Sequence, residues 1–144
     1  MIKSLILDLD GTLINTVALE PLRSAGRWRE ISKHFDQCFI YSGVIGVLNT
    51  ARAAGIKVAV FTNSPSHYAT GLLNYFDLTV DFLVAYHDVK HHKPSNEGVQ
   101  KILDHFGIGS DEAIYLGDSD LDKEAAQNAK VKFYAVNWGP CVST

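Results

Sequence analysis

Short apolar, β-branched runs alternate with stretches of helical period along this chain. The five runs predicted as strands are residues 4–9, 57–61, 82–85, 113–116 and 132–136. This alternation is typical of βα units arranged around a mostly parallel sheet. We therefore predict an α/β fold of three layers with a five-stranded, mostly parallel sheet.

Four helices are predicted between these strands, because apolar residues recur there with the spacing of one helical face. Asp118 and Ser119 precede the fourth and are residue types that cap helix N-termini. The apolar residues that mark the four helices are Val44, Val47, Leu48 and Ala51; Tyr68, Leu72, Tyr75 and Phe76; Val99, Ile102, Leu103 and Phe106; and Leu121, Ala125 and Ala129. We expect all of them to contribute to the core.

Residues 17–35 predict a further helix that follows the first strand directly, so it can lie over the end of the sheet. Trp28 shares one side of it with apolar neighbours, which favours packing over stacking on a substrate ring. Arg23 and Arg27 share a face and could steer an anionic substrate, although a solvated helix face is the favoured interpretation. We predict a single domain, 1–144, in which residues 15–40 form a helical flap or minimal lid.

Composition restricts the class of protein. A chain of 144 residues that is 47% hydrophobic is long enough for one core, and its net charge of −3 argues against a surface that binds nucleic acid or an anionic membrane throughout. Cys38 and Cys141 are far apart, which favours free thiols in a reducing compartment. Asp8 and Asp10 interrupt the first apolar run too early for a signal peptide, and no run is long enough to span a membrane. We expect a soluble, cytoplasmic protein.

The first of four polar clusters follows the first predicted strand, and ligands of open α/β sheets bind at strand carboxyl ends. Alternation along an extended chain points Asp8 and Asp10 in the same direction. Two carboxylates so close repel each other unless a cation or a shared proton intervenes. Gly11 then permits a tight turn, and Thr12 offers a hydroxyl group.

The other three clusters follow later strands of the predicted sheet. Thr62 and Asn63 are uncharged donors suited to phosphate oxygens, and Lys93 can neutralise a phosphoryl group. Asp118 and Asp122 bring carboxylate oxygens to a strand end that opens a helix, and such hard ligands suit Mg²⁺. Together the clusters indicate phosphoryl transfer through a covalent aspartyl-phosphate.

These clusters resemble, in order and spacing, the four motifs of the haloacid dehalogenase superfamily. Residues 8–12 (DLDGT) are similar to its DxDGT signature, Thr62 to its second-motif hydroxyl, Lys93 to its third-motif lysine, and residues 117–122 (GDSDLD) to its GDSxxD. The resemblance covers nearly the whole chain. It implies a Rossmann-like sheet with strand order 3-2-1-4-5.

The resemblance also implies the role of each motif residue. Asp8 would attack phosphorus, while Asp10 would protonate the leaving group and then activate water. An acid at position 10 is typical of the phosphatases of the superfamily and is absent from its dehalogenases. The implied activity is therefore hydrolysis of phosphomonoesters.

The implied ligand sets use the same clusters. Mg²⁺ would be held by the carboxylates of Asp8 and Asp118 and the backbone carbonyl of Asp10, and Asp122 would orient metal-bound waters and Lys93 from behind. The phosphoryl group would be gripped by Thr62 and Lys93. Further phosphate-binding positions are Gly11, Thr12 and Asn63.

The intervals between motifs leave no room for a full cap domain. Asp10 and Thr62 are 52 positions apart, and Thr62 and Lys93 are 31 apart. The resemblance to capless members implies an open site for a bulky substrate such as a phosphorylated protein, a nucleic-acid end or a lipid headgroup, or a site closed by a partner chain. The sequence is compatible with a monomer or a homo-oligomer.

Three other functions fit parts of the same pattern. A response-regulator receiver domain has a similar length and an acidic cluster with threonine and lysine, but its phosphorylated aspartate ends the third strand, and residues 82–86 contain no acid. A binding or regulatory subunit could retain the fold without turnover. A phosphomutase or phosphotransferase could pass the same intermediate to an acceptor other than water.

Overall fold

The structure is a computed structural model that describes residues 1–136, so Cys141 lies outside the described residues. Its strands are β1 (Ser4–Leu7), β2 (Ile14–Asn15), β3 (Phe39–Ile40), β4 (Lys57–Phe61), β5 (Phe82–Val84), β6 (Ala113–Gly117) and β7 (Lys132–Ala135). Its α-helices are α1 (Glu20–Ser24), α2 (Trp28–Ile31), α3 (Val44–Ala53), α4 (Ser66–Tyr75), α5 (Glu97–Phe106) and α6 (Asp120–Asn128). The predicted strands and the four predicted core helices are therefore present, with ends that differ by one or two residues.

Five strands form one parallel sheet in the order β5-β4-β1-β6-β7. Counted without the short strands β2 and β3, this is the predicted order 3-2-1-4-5. β1 is central: Leu7 pairs with Val60 on one side and Leu116 on the other. All four residues of β1 are buried, as expected of a strand with a layer on each face. β2 and β3 pair antiparallel in a separate two-stranded ribbon.

Alternation along β1 divides the core into two halves. Leu5 and Leu7 belong to a cluster that includes residues of α3 and α4, whereas Ile6 belongs to a second cluster with residues of α5 and α6. Gly98 of α5 lies so close to the sheet that an added Cβ would be 2.3 Å from the ring of Phe61. The helices therefore cover both faces, and the three-layer prediction is confirmed.

The predicted single helix over 17–35 is wrong. The segment contains a 3₁₀ turn at Val17–Leu19, then α1, α2 and a second 3₁₀ turn at Ser32–Gln37. Gly26 separates the two helices with φ of +69°, a left-handed conformation that cannot continue a right-handed helix. Ile31 and Phe35 are nevertheless buried, so the apolar spacing identified the packed side chains of the segment.

Two helix positions expected in the core are exposed instead. Tyr75 lies at the end of α4 and Leu121 in the first turn of α6, and their exposures are 53% and 45%. Both stand at helix ends. Among residues 1–136, no helix has the length and apolar character needed to cross a lipid bilayer.

Candidate active site

A cavity of about 520 Å³ opens at the carboxyl ends of β1, β4 and β6. Parallel strands end at the same edge of a sheet, which is why residues more than 100 positions apart meet there. Seven of the predicted site residues line the cavity: Asp8, Asp10, Gly11, Thr62, Asn63, Lys93 and Asp118. The four sequence clusters therefore converge on one site.

Lys93 is the cation at the floor of this cavity. Its side chain is 4% exposed, and Nζ lies 3.0 Å from Asp8 Oδ1 and 2.6 Å from Asp122 Oδ1. Burial alone would lower the pKa of Lys93, but the two carboxylates outweigh it and the pKa is raised. Lys93 is therefore charged and ties the end of β1 to the start of α6.

Asp122 is fully buried behind the cavity, and protein donors occupy both of its carboxylate oxygens. The Tyr115 hydroxyl donates to Oδ1 at 2.7 Å, and the Ser119 hydroxyl donates to Oδ2 at 2.9 Å. Burial would raise the pKa of Asp122, but Lys93 and these donors hold it below its ordinary value. Asp122 is thus a fixed anion that orients Lys93.

Asp118 lies over the turn that follows β1. Gly11 has φ of +80°, and a Cβ added there would be 2.2 Å from Asp118 Oδ2, so only glycine fits beneath this carboxylate. Thr12 was expected among the phosphate-binding groups. It is fully buried, and its hydroxyl donates to Asp118 Oδ1 at 3.4 Å. Its observed contact is therefore with a predicted metal ligand.

The acidic residues at this site suit a divalent cation. Carboxylate oxygens of Asp8, Asp118 and Asp122 all lie within 4.8 Å of one another. When all three carboxylates are ionised, Lys93 compensates one of the three charges and leaves two. Burial raises the pKa of Asp8 to about 8, against the opposing effect of Lys93, and burial together with Asp122 raises the pKa of Asp118. A bound cation would relieve both shifts, and hard oxygen ligands in this number fit Mg²⁺.

Asp10 lines the same cavity but has different partners from Asp8. Its Oδ1 accepts hydrogen bonds from the hydroxyls of Thr16, at 2.7 Å, and Tyr68. Its Oδ2 accepts a longer hydrogen bond from Ser64, at 3.3 Å, and lies 3.5 Å from Arg23 Nη2. Asp10 is therefore held by hydroxyl groups and one guanidinium rather than by Lys93.

Thr62 and Asn63 form the wall at the end of β4. Thr62 is 2% exposed, and its hydroxyl oxygen accepts a hydrogen bond from the backbone N–H of Ser64 at 3.0 Å. The Asn63 side-chain oxygen accepts from the backbone N–H of Lys93 at 3.4 Å. The first bond orients the Thr62 hydroxyl within the second predicted motif, and the second joins that motif to the third.

Residues 15–40 form another wall of the cavity. Asn15, Thr16, Val17 and Arg23 all line it, although the segment is not the continuous helix that was predicted. Arg23 was predicted to share a basic helix face with Arg27 that could steer an anionic substrate. The break at Gly26 separates the two: Arg23 reaches Asp10, whereas Arg27 lies 3.9 Å from Glu30.

Sequence reasoning missed two tyrosines of the site. Tyr68 was predicted to lie in the core from its helical spacing, and this is confirmed, whereas Tyr115 fell inside a predicted strand with no role predicted for it; their exposures are 2% and 0%. Their hydroxyls, however, donate to Asp10 and Asp122. A buried tyrosine hydroxyl needs a partner, so each was a signal that a polar group lies nearby.

Known proteins resemble this chain over most of its length. A PpaX protein of Clostridium perfringens is 30% identical over 186 aligned positions, which include 96% of this chain and 85% of that protein. The alignment is longer than the 144 residues of this chain, so the relative contains segments that this chain lacks. A phosphoglycolate phosphatase of Rhodospirillum rubrum is 29% identical over 102 residues, 69% of this chain but only 42% of that protein. The chain thus matches less than half the length of some of its relatives.

Solved structures share the fold. CbbY from Rhodobacter sphaeroides, solved in complex with phosphate, superposes with a TM-score of 0.84 at 18% identity and covers 94% of this chain and 86% of its own. The sequence profile of the family described as haloacid dehalogenase-like hydrolase matches residues 22–136. The chain therefore belongs to the haloacid dehalogenase-like hydrolase family.

Proposed function

We propose that this protein is a Mg²⁺-dependent phosphomonoester hydrolase that forms an aspartyl-phosphate on Asp8. The observation that carries the proposal is the meeting of Asp8, Lys93 and Asp118 at one end of the sheet. The Asp8 carboxylate lines the cavity beside the buried ammonium of Lys93, so the pair provides a nucleophile and a positive charge for the phosphoryl oxygens. Relatives named pyrophosphatase and phosphoglycolate phosphatase support phosphoryl chemistry.

In the first step, a carboxylate oxygen of Asp8 attacks phosphorus as the bond from phosphorus to the leaving oxygen breaks. Asp10 donates its proton to that oxygen, so the leaving group departs as a neutral alcohol. Lys93 and Thr62 hold the transferring phosphoryl oxygens, with Asn63 and the backbone at Gly11 beside them. Thr12 acts indirectly, through Asp118.

In the second step, Asp10 accepts a proton from water as the water oxygen attacks phosphorus. The bond between phosphorus and Asp8 breaks, which restores the Asp8 carboxylate and the protonated Asp10 and releases phosphate. Mg²⁺ would be held by the carboxylates of Asp8 and Asp118 and the backbone carbonyl of Asp10. When bound, it supplies positive charge that draws the phosphoryl group and the anionic Asp8 together. Asp122 keeps Lys93 directed at the site.

We propose further that residues 1–144 act as one domain and that residues 15–40 serve as a minimal lid. Four residues of the segment line a cavity of about 520 Å³, a volume typical of a small-molecule site. A cavity of this size, walled on one side by residues 15–40, suits a small phosphorylated substrate better than the phosphorylated protein or nucleic-acid end suggested by the missing cap. The names of the relatives point to the same substrate class.

Hydrolysis of p-nitrophenyl phosphate by the purified protein tests the proposal. Turnover should require Mg²⁺, and Asp8→Asn should reduce it by at least about 1,000-fold with the circular dichroism spectrum unchanged. Wild-type protein quenched in acid should show the added mass of one phosphoryl group on the peptide containing Asp8.

Each other outcome identifies a different function. Full activity of Asp8→Asn, in protein free of contaminating phosphatases, would overturn the nucleophile assignment. Tight binding of phosphate esters without turnover would indicate a binding subunit. Transfer of phosphate to an added alcohol in preference to water would indicate a phosphotransferase.

A further inference from the structure

We propose that Tyr68 is a positioning residue for Asp10 and that it connects the segment 15–40 to acid–base catalysis. The inference rests on the proposed function, in which Asp10 exchanges the proton. Tyr68 lies in the first turn of α4, is 2% exposed and donates its hydroxyl hydrogen bond to Asp10 Oδ1. Within residues 1–136, four side chains are seen to contact Asp10: Thr16, Arg23, Ser64 and Tyr68. Tyr68 is the one of these four that belongs to a ten-residue core helix.

The ring of Tyr68 is fixed by aromatic contacts. Trp28 and Phe35 pack edge-on against it, with ring centroids at 5.2 Å and 6.1 Å. Both residues belong to the segment 15–40. Because the ring cannot turn without displacing them, the hydroxyl has a fixed position, and the packing of the segment determines that position.

The contacts of Asp10 are unequal at its two oxygens. Oδ1 accepts the two closest hydrogen bonds, from Thr16 and Tyr68, whereas Oδ2 has only the longer contacts to Ser64 and Arg23. Oδ1 is thus fully used as an acceptor. Oδ2 is then the oxygen that carries the proton to the leaving group and takes it back from water.

This arrangement gives Tyr68 a role that depends on the leaving group. A poor leaving group, such as an alkoxide, needs its proton in the transition state, whereas p-nitrophenolate departs without one. Loss of the Tyr68 hydroxyl should therefore slow the attack of Asp8 on alkyl phosphates and spare p-nitrophenyl phosphate. A merely structural defect would slow both.

Tyr68→Phe tests the proposal because it removes the hydroxyl and keeps the ring between Trp28 and Phe35. The quantity to measure is kcat/KM, which reports the first irreversible step and not the later hydrolysis of the intermediate. We expect kcat/KM to fall by roughly 10- to 100-fold for propyl phosphate and by less than about 3-fold for p-nitrophenyl phosphate. An equal loss with both substrates, or no loss with either, would overturn the proposal.

Tyr75→Phe is the matched control, since it lies on the same helix, has its ring 5.8 Å from that of Phe35 and is 53% exposed. It should change neither value. A crystal structure of Tyr68→Phe provides a readout independent of turnover: the Asp10 carboxylate should rotate, and an unmoved carboxylate would contradict the positioning role. If the wild type lacks activity or Asp8→Asn retains it, the proposed function fails instead, and this structural readout still decides whether Tyr68 positions Asp10.

Discussion

The two carboxylates that follow β1 are held by different parts of the molecule. Asp8 contacts Lys93, which is fixed by the fully buried Asp122 and through it by Tyr115. Asp10 contacts Arg23, whose side chain is 24% exposed and which also pairs with the exposed Glu20. Asp8 and Asp10 are themselves similarly exposed, at 13% and 12%, but the charged partners of Asp8 are dry and built on the sheet, whereas the cation beside Asp10 is partly wet and belongs to a short surface segment.

This difference determines how strongly each side should respond to mutation. Charges in a dry environment interact strongly, and the loss of one partner leaves another uncompensated. Charges near water are screened, and their pairs contribute little. We therefore expect large, coupled effects of changes around Asp8 and small, separable effects of charge changes around Asp10.

The largest effect is expected for Lys93→Met. It leaves Asp8 and Asp122 without their shared cation, so activity should fall by at least about 1,000-fold and the free energy of unfolding by about 3–5 kcal/mol. The destabilisation should be smaller below about pH 8, where Asp8 carries a proton and Asp122 alone loses its counter-charge. Denaturant unfolding at several pH values measures this, and Lys90→Met provides an exposed control. If Lys93→Met is as stable as the wild type at neutral pH, the surroundings of Asp8 are not the more tightly coupled of the two.

Next in size is the pH dependence of Mg²⁺ binding. The pKa of Asp8 is raised to about 8 by burial, so below that pH the cation must displace a proton from its carboxylate. The association constant should fall about tenfold per pH unit from pH 8 to pH 6 and level off above pH 8. Isothermal titration calorimetry measures both the affinity and the proton released. A flat affinity over this range would show that Asp8 is already ionised without the metal.

The same raised pKa affects the stability of the metal-free protein. The folded state binds more protons at Asp8 than the unfolded state between about pH 4 and pH 8, so stability should decline as pH rises through that window. Asp8→Asn should remove this decline. Thermal unfolding with a chelator present, at pH 5 and pH 8, is the measurement, and a steeper decline in the variant would contradict the assignment.

A moderate effect is expected for Tyr115→Phe. The fully buried Asp122 loses one donor, which should reduce the free energy of unfolding by about 1–3 kcal/mol. Turnover should fall roughly tenfold, because Lys93 is then less firmly oriented. Tyr134→Phe, on an exposed tyrosine, is the control. If the two variants unfold at the same denaturant concentration, Asp122 does not depend on Tyr115.

The smallest effect is expected for Arg23→Gln, which removes the partly exposed cation beside Asp10. Its contact with Asp10 is long, at 3.5 Å, and partly screened, so stability should change by less than about 1 kcal/mol. Turnover should fall only a few-fold, since Thr16, Ser64 and Tyr68 still hold Asp10. A loss as large as that of Lys93→Met would show that the cation beside Asp10 is as tightly coupled to the site as the cation beside Asp8.

Local patterns were sufficient for the sheet and failed for residues 17–35. The strands and the four core helices repeat apolar residues with a clear period, and burial makes that period visible. Residues 17–35 have the same apolar spacing at Ile31 and Phe35, yet Gly26 breaks the helix with a positive φ. The apolar pattern predicted which side chains are buried but not the backbone conformation of the segment. Several backbone conformations can bury the same side chains, so the pattern alone does not distinguish them.

The motif residues and the parallel sheet were determined by the sequence, since strand-ending polar clusters and buried apolar runs are local features. The tertiary structure alone decided which residues surround each motif. Tyr68 donates to Asp10 from 58 positions away, and Tyr115 donates to Asp122 from β6, the strand that precedes α6. Both tyrosines have the spacing of ordinary core residues. Their hydroxyls gain a role only when packing brings them to a carboxylate, and the partner of a buried polar atom is a property of the folded chain.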